Sequence, residues 1–473
     1  MTTSKIVPGS FRDPGGFVFI HQGTIYRQVN QHGRADYDLL IGSGLYDQLV
    51  EEGLLIAHQE ADIEPAEARL AYKILRPEPV PFISYPYEWC FSQLKQAALT
   101  TLKIQRLALE SNLSLKDCSA YNIQFHKSRA VLIDSLSFEA YEEGKPWAAY
   151  QQFCRHFLAP LALMAYKDSW MNSLFRVFLD GFPLDLTSRL LPGRSRLNPS
   201  LAMHIHLHAS AIRRYEDQPS SPTASTQKMS RTSLLGLIDS LQRAVEKLTF
   251  KLTASEWSDY YQITNYTPSG INAKKELITE MIGRINPSDV WDLGANTGQF
   301  SQIASRSGIN TVAFDSDPMA IEIFYRDVLE REDQFTLPLV MDITNPSPAL
   351  GWNNQERDSW IKRGPTDLVM ALALVHHLAI GNNTPLESIA RLFSQLSNWL
   401  IIEFIPREDS QVQRMLSFRK DIFQHYTRQD FERSFSEYFS IAEKHPVADS
   451  SRSIYLMKNE SPPLSLIHIS EPT

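Results

Sequence analysis

Residues Val290–Phe300 read VWDLGANTGQF. A short apolar run ends in Asp292, and Gly294, Asn296 and Gly298 then follow at every second position. Glycine reaches backbone conformations closed to other residues and lets a ligand approach the main chain, and asparagine is among the few others that tolerate the left-handed region. The pattern therefore predicts a strand ending at Asp292, a tight loop over 294–298, and a helix over QFSQIASRSG, Gln299–Gly308. The first amides of such a helix suit a carboxylate.

Working outward, the apolar runs VWDL, TVAFD, LPLVMD, DLVMALAL and WLIIEFI follow one another from 290 to 405, separated by segments of helix length or more. That alternation predicts a doubly wound α/β sheet with parallel strands. Two later runs, YFSIAEK and RSIYLMK, are joined by a short connection holding Pro446 and Asp449, which suits an antiparallel pair at one edge. Ligands of such sheets bind beyond the carboxyl ends of the strands. A GxGxxG dinucleotide fingerprint needs glycines at 294, 296 and 299, where this chain has Gly, Asn and Gln, so the spacing excludes it.

In strand order and glycine loop, residues from about 257 to 458 resemble class I S-adenosylmethionine-dependent methyltransferases. The resemblance implies a Rossmann-like seven-stranded sheet, mostly parallel with an antiparallel edge, and S-adenosylmethionine as cofactor. By the same likeness Gly294, Ala295, Asn296 and Gly298 line the methionine part of the cofactor, with Asp292 nearby. Asp315, 21 residues after Gly294, matches the acidic residue that holds the ribose hydroxyls, and Asp342 the one near the adenine. A carboxylate accepts two hydroxyl donors at once. Taken singly, each aspartate suits a helix cap or turn equally well. Asp317, two residues past the strand end, is the weaker ribose ligand.

His376 and His377 fall just after the fourth run, where a methyl acceptor would sit. Imidazole titrates near neutrality and suits removal of a proton from a hydroxyl or amine, although one ring could simply pack under the cofactor. Glu403, in the fifth run and expected to follow its strand, reads as a loop anchor ahead of a residue orienting substrate. No Asn-Pro-Pro-Tyr or Asp-Pro-Pro-Tyr sequence follows strand four, and the HHL element resembles small-molecule methyltransferases, so a small-molecule or glycan-type acceptor is expected. The aromatic-rich stretch 257–270 suits a lid as well as it suits core.

The first half carries a second pattern. LKDCSAYNIQFHKSRAVLIDSLSFE, Leu115–Glu139, holds Asp117, then Asn122, then Asp134 beyond a strand-like pair. It resembles the catalytic segment of protein-kinase-like and aminoglycoside-phosphotransferase-like folds, which implies an α+β domain with Asp117 as base, Asn122 and Asp134 as magnesium ligands, and ATP as a nucleotide ligand. The segment PFISYPYEW would be the hinge. The departures are that no glycine-rich phosphate loop precedes the segment, Arg27 stands where a nucleotide-binding lysine is sought, and Ser135 and Leu136 follow Asp134. A degenerate domain that binds substrate or partner fits these departures better than an active phosphotransferase.

The chain has 473 residues, 43% hydrophobic and 21% charged, so two or three globular domains are expected. A net charge of −8 supplies no overall basic field for nucleic acid. Three widely spaced cysteines, Cys90, Cys118 and Cys154, fit neither a disulfide framework nor a CxxC metal site, no metal is expected in the second half, and a reducing cytoplasm is the natural compartment. The longest apolar run, Leu368–Ile380, is interrupted by the two histidines, so no membrane partner is expected. The expected divisions are a degenerate kinase-like domain at 1–216, a Ser/Pro-rich linker at 217–232, a helical connector and lid at 233–286, and the methyltransferase domain at 287–460. The tail at 461–473 resembles translated adaptor read-through and is expected to be disordered. As a whole the chain resembles nodulation-protein-like methyltransferases, implying a cytoplasmic bacterial enzyme. Its rivals are an ATP- and magnesium-dependent phosphotransferase and a non-catalytic cofactor-binding module.

Overall fold

The computed structural model describes residues 4–210, 228–251, 267–418 and 420–461. The aromatic stretch 257–270, the linker 217–232 and the tail 461–473 fall largely outside them. The chain divides into two compact units, one built on Met1–Leu252 together with Leu350–Arg357, the other on Thr253–Ala349 and Asp358–Leu466. The stretch 233–286 is therefore not one connector. The helix Arg231–Lys247 belongs to the first unit, where Leu234, Ile238, Leu241 and Val245 recur at helical spacing on its buried side. Its last turn accepts the Lys95 ammonium on the Glu246 carbonyl at 2.8 Å. The helix Pro268–Ile285 belongs to the second unit.

In the first unit β1 (Lys5–Ile6), β2 (Gly16–His21), β3 (Thr24–Asn30), β4 (His58–Glu60) and β5 (Ala71–Pro77) form an antiparallel sheet in the order β1-β2-β3-β5-β4. The two-residue turn between β2 and β3 places Gln22 and Gly23 at φ 51° and 75°, the twist that a tight hairpin requires. The twenty-residue helix Phe91–Glu110 follows, with Leu94, Ala97, Ala98, Thr101, Leu102, Gln105, Ala108 and Leu109 on its buried side. Beyond it β6 (Leu113–Leu115) pairs with β9 (Phe138–Ala140), and β7 (Ile123–His126) with β8 (Arg129–Leu132).

The second unit is α/β, with a sheet dominated by parallel strands. Each apolar run of the sequence supplies most of a strand: β10 (Asp289–Leu293), β11 (Asn310–Asp315), β12 (Thr336–Val340), β13 (Thr366–Ala371) and β14 (Ser397–Phe404), then β15 (Phe439–Pro446) and β16 (Ser453–Asn459). The order is β12-β11-β10-β13-β14-β16-β15, with β10 to β14 parallel and β16 antiparallel to both its neighbours. Strands covered on both faces read as near-continuous apolar runs, which is why these stood out. The chain winds from β10 to β12 in one direction and resumes at β13 on the other side of β10. This switch point opens the crevice in which doubly wound sheets bind ligands.

On one face Val290, Leu368, Met370, Ile401, Ile454 and Leu456 pack with Ile278, Met281 and Ile282 of the helix Pro268–Ile285. Trp291 stacks on Trp360 at 5.7 Å, and Phe314 meets both rings edge-on. After β10 the helix is shorter than Gln299–Gly308: it spans only Ser301–Ser305. Glycines at φ 79° (Gly298) and 77° (Gly308) terminate helical geometry on either side. Among the described residues no helix is long and apolar enough to cross a membrane.

The loop is built for glycine at 298 in particular. A Cβ there would lie 1.9 Å from Phe324 Cζ, at a φ of 79°. At Gly294, φ 76°, the nearest atom is Leu374 Cδ1 at 3.3 Å. Gly298→Ala is expected to cost about 2–5 kcal/mol, against about 1–2 kcal/mol for Gly294→Ala. Urea unfolding of both variants checks the ranking, and equal losses would contradict it.

Candidate functional site

Asp292, at the carboxyl end of β10, is buried, and its Oδ2 accepts the Ser301 hydroxyl at 2.6 Å. Burial pushes its carboxyl from 3.8 up to about 6, against the pull of the Ser301 hydrogen bond, with Asp315 adding to the rise and Lys274 opposing it. Asp315 ends β11, the adjacent strand. Its Oδ2 accepts the Asn296 amide and its Oδ1 the Asp317 amide, each at 2.8 Å. Asp315 is half-buried by exposed area, yet its carboxylate is closely surrounded by protein atoms, and that crowding pushes it upward as well. Both shifts make ionisation less favourable in the fold than in the unfolded chain. Between pH 4 and 6 the fold holds more protons at Asp292 than the unfolded chain does, so this group's contribution to stability falls as pH rises through that window.

The glycine loop lies between these carboxylates. Gly294, Asn296 and Gly298 have φ of 76°, 52° and 79°, and the amides of Gly294 and Ala295 both donate to the Phe314 carbonyl of β11, at 2.8 and 3.0 Å. Ala295 and Asn296 are buried. The loop is thus fastened to β11 on one side, and one of its own amides holds Asp315. Asp317 caps the helix Pro318–Glu330 through the Met319 amide. Asp342, just past β12, takes the Thr344 amide and hydroxyl on Oδ1 at 2.8 and 2.7 Å, the geometry of a turn. It follows Met341, whose amide donates to the Asp315 carbonyl.

His376 and His377 follow β13 after Ala373, a non-glycine residue at φ 51°. Held backbone outliers of this kind cluster where a site needs a fixed geometry. His376 is 1% exposed, its ring centroid lies 4.0 Å from that of His377, and its Nδ1 has no hydrogen-bond partner among the described residues. Burial, then the neighbouring His377 and Arg452, holds His376 well below 6.5. Burial, with Arg452 assisting, brings His377 down to about 4. Both rings are neutral at pH 7, able to give or take a hydrogen bond but weak as proton acceptors.

Arg452 belongs to a set of buried charges of which sequence reasoning found only Glu403. Lys274, from the helix Pro268–Ile285, pairs with Glu403 of β14 at 2.7 Å, both side chains 2% exposed or less. Arg452, just before β16, lies 3.9 Å from Glu403 and binds Asp409 through Nε at 2.8 Å. Lys274 also sits 4.6 Å over the Phe300 ring, and burial pulls its ammonium downward while Glu403 opposes. Glu403 is therefore committed to Lys274 as an anchor. A glutamate inside WLIIEFI was the one signal; its partner, 129 residues away, left none.

In the first unit Asp117 Oδ1 accepts the Ser119 amide at 2.9 Å and the Gln152 side-chain amide at 2.8 Å. Asn122 lies at the start of β7 and Asp134 two residues beyond β8, so the hairpin brings them to one end. Asp134 pairs with Arg27 of β3 at 2.7 Å. Among the described residues no group of three or more His, Cys, Asp or Glu side chains is placed to hold a metal ion.

The chain is 34% identical to the nodulation protein NoeA of Rhizobium meliloti (strain 1021) over 457 residues, 95% of each chain. No profile of a known protein family matches it. Among solved structures it is 19% identical to WbdD, crystallised with a kinase inhibitor, over 40% of this chain and 41% of that one, TM-score 0.30. It is 17% identical to magnesium protoporphyrin IX methyltransferase (ChlM) of Synechocystis PCC 6803, crystallised with bound SAH, over 40% of this chain and 84% of that one, TM-score 0.30. Both structural likenesses are partial, and the match spans about two-fifths of WbdD.

Removing one member of a buried ion pair strands the other, so Lys274→Met alone is expected to cost about 3–5 kcal/mol. Lys274→Met with Glu403→Leu should recover much of that loss. Denaturant unfolding of Lys274→Met, Glu403→Leu and the double variant decides the point: a loss in the double equal to the sum of the two single losses would mean that the pair contributes nothing as a pair.

Proposed function

The chain belongs to the family of the nodulation protein NoeA, and from that premise we propose that its second unit is an S-adenosylmethionine-dependent methyltransferase acting on a small-molecule or glycan-type acceptor. The observation that carries this reading is the loop Gly294–Gly298, with three left-handed residues at the switch point of the sheet and a buried or half-buried carboxylate on either side.

The residues present fit the cofactor. The Asp315 carboxylate is engaged by the backbone amides of Asn296, Asp317 and Ser316, and two carboxylate oxygens offer about four lone-pair sites, so it can still accept a ribose hydroxyl. The loop Gly294, Ala295, Asn296 and Gly298, held in shape by its left-handed residues, is the part of the chain proposed to meet the amino-acid end. Asp292, which accepts the neutral Ser301 hydroxyl and is acted on through space by the Lys274 ammonium, would hold a negative charge beside it. When bound, the cofactor supplies a methyl group on a sulfonium, a good leaving group, so that positioning accounts for much of the acceleration. Asp342, past the end of β12, is the residue proposed to lie near the adenine.

At the acceptor side His377 is the imidazole that would touch substrate, because it keeps some exposure where His376 keeps almost none. Held neutral, it orients a protonated acceptor by accepting a hydrogen bond, and His376 packs behind it as a positioning residue. For the first unit we propose a kinase-like arrangement. The support is the five-stranded antiparallel sheet followed by the helix Phe91–Glu110, with Asp117 and Asp134 on either side of the β7–β8 hairpin.

Calorimetry with S-adenosylmethionine tests the reading. Asp315→Ala should weaken binding about 10–100-fold, as expected when hydrogen bonds to a charged group are lost. Because the bound form needs Asp292 ionised, lowering the pH from 7 to 5 should weaken binding about tenfold. Affinity that is absent, or unchanged in Asp315→Ala, overturns the proposal. With labelled cofactor and cell extract, His377→Ala should leave cofactor affinity within about twofold and reduce methyl incorporation about 10²-fold, the scale of a lost positioning contact.

A further inference from the structure

We infer that in the first unit the Arg27 guanidinium and the Ser137 hydroxyl stand where a divalent cation would have to sit, so that Asn122 and Asp134 take no metal and the site does not transfer phosphoryl groups. The inference rests on the kinase-like reading of this unit, under which Asn122 and Asp134 would be the metal ligands.

The hydrogen bonds around Asp134 account for both of its oxygens. Oδ1 receives Arg27 Nη2 at 2.7 Å and the Leu136 amide at 2.9 Å. Oδ2 receives the Ser137 hydroxyl at 3.0 Å, and that same hydroxyl accepts the Asn122 Nδ2 at 3.4 Å. Ser137 is 1% exposed. A buried hydroxyl thus bridges the two side chains that a metal would have to bridge, and the face Asn122 turns toward it is its NH2, which cannot ligate a cation. Oxygen-seeking ions such as Mg²⁺ and Mn²⁺ need carboxylate or carbonyl oxygens with free lone pairs.

The electrostatics agree. Arg27 lies between Asp134 at 2.7 Å and Asp13 at 3.4 Å, with its side chain 16% exposed. An arriving dication would meet a fixed positive charge in a poorly hydrated place, where like charges repel far more than in water. Arginine cannot lose its proton to relieve the conflict.

The neighbouring residues show what the arrangement does instead. Leu136 packs with Val29 of β3, Leu75 of β5 and Tyr37. It comes so close to β2 that a Cβ at Gly16 would lie 2.9 Å from its Cδ1. The ion pair and this contact fasten the segment after β8 to the sheet, with Arg27 as resident cation. Asp117 is likewise held by Gln152 and Ser119.

Titration of the full chain with Mn²⁺, followed by the electron paramagnetic resonance of the free ion, tests this. The wild type should bind no Mn²⁺ that depends on Asp134. Arg27→Met combined with Ser137→Ala should bind it at least about tenfold more tightly, and adding Asp134→Asn should abolish the gain. Wild-type binding that disappears in Asp134→Asn overturns the inference and leaves the kinase-like reading standing. A double variant that keeps the wild-type circular dichroism and gains no Mn²⁺ overturns both. Should the double variant not fold, the comparison of wild type with Asp134→Asn still decides against the inference or for it.

Discussion

Charge held away from water at the carboxyl ends of β10 and β14 is the constraint on which the second unit depends. Lys274, Glu403, Asp409 and Arg452 are all less than a tenth exposed, and Asp292 lies near Lys274. Isolated, each would be expensive to bury; paired at 2.7 and 2.8 Å they offset one another. The pairs join parts of the chain that apolar packing alone would leave free to slide: the helix before β10 to β14, and the entry to β16 to the loop after β14. Apolar contacts are non-directional, whereas a buried ion pair has one geometry. The loop that carries Gly294 to Gly298 is therefore presented on an edge whose neighbouring elements are fixed.

What the sequence made legible was whatever repeats over a few residues. The strands appeared as apolar runs because both faces of a parallel sheet are covered, and the loop appeared because Gly294, Asn296 and Gly298 share a backbone need that few residue types meet. The helix after the loop was over-read: QFSQIASRSG has helical composition, but left-handed glycines at 298 and 308 leave room only for Ser301–Ser305. The partners of Glu403 could not be read at all, since Lys274 lies 129 residues away and a contact at that range has no local period. The histidine pair was visible as HH, yet the burial that makes the rings neutral and weakly basic, and the charge of Arg452 that adds to it from far along the chain, were not.

The first unit shows the same limit in reverse. Asp117, Asn122 and Asp134 could be found by spacing, and Arg27 was conspicuous as the cation nearest to where a lysine was sought. Spacing could not show that Arg27 reaches Asp134 itself, nor that Ser137 stands between Asp134 and Asn122. Those are the contacts that decide what the pattern can do.

The two units treat the aspartates at their strand and hairpin ends in opposite ways, and the difference sets which of them can meet a ligand. Asp292 and Asp315 are held by a hydroxyl and by backbone amides, all neutral donors. Such donors leave the net charge in place, and burial then raises the cost of ionisation, so a cation or a set of hydroxyl donors arriving beside them relieves an existing penalty. Asp134 is held by a guanidinium, which cancels the charge within the fold and leaves no comparable penalty for a ligand to relieve. Acidic residues alike in sequence thus differ in availability because the second unit holds Asp292 and Asp315 by neutral donors alone, whereas the first adds a permanent cation at Asp134.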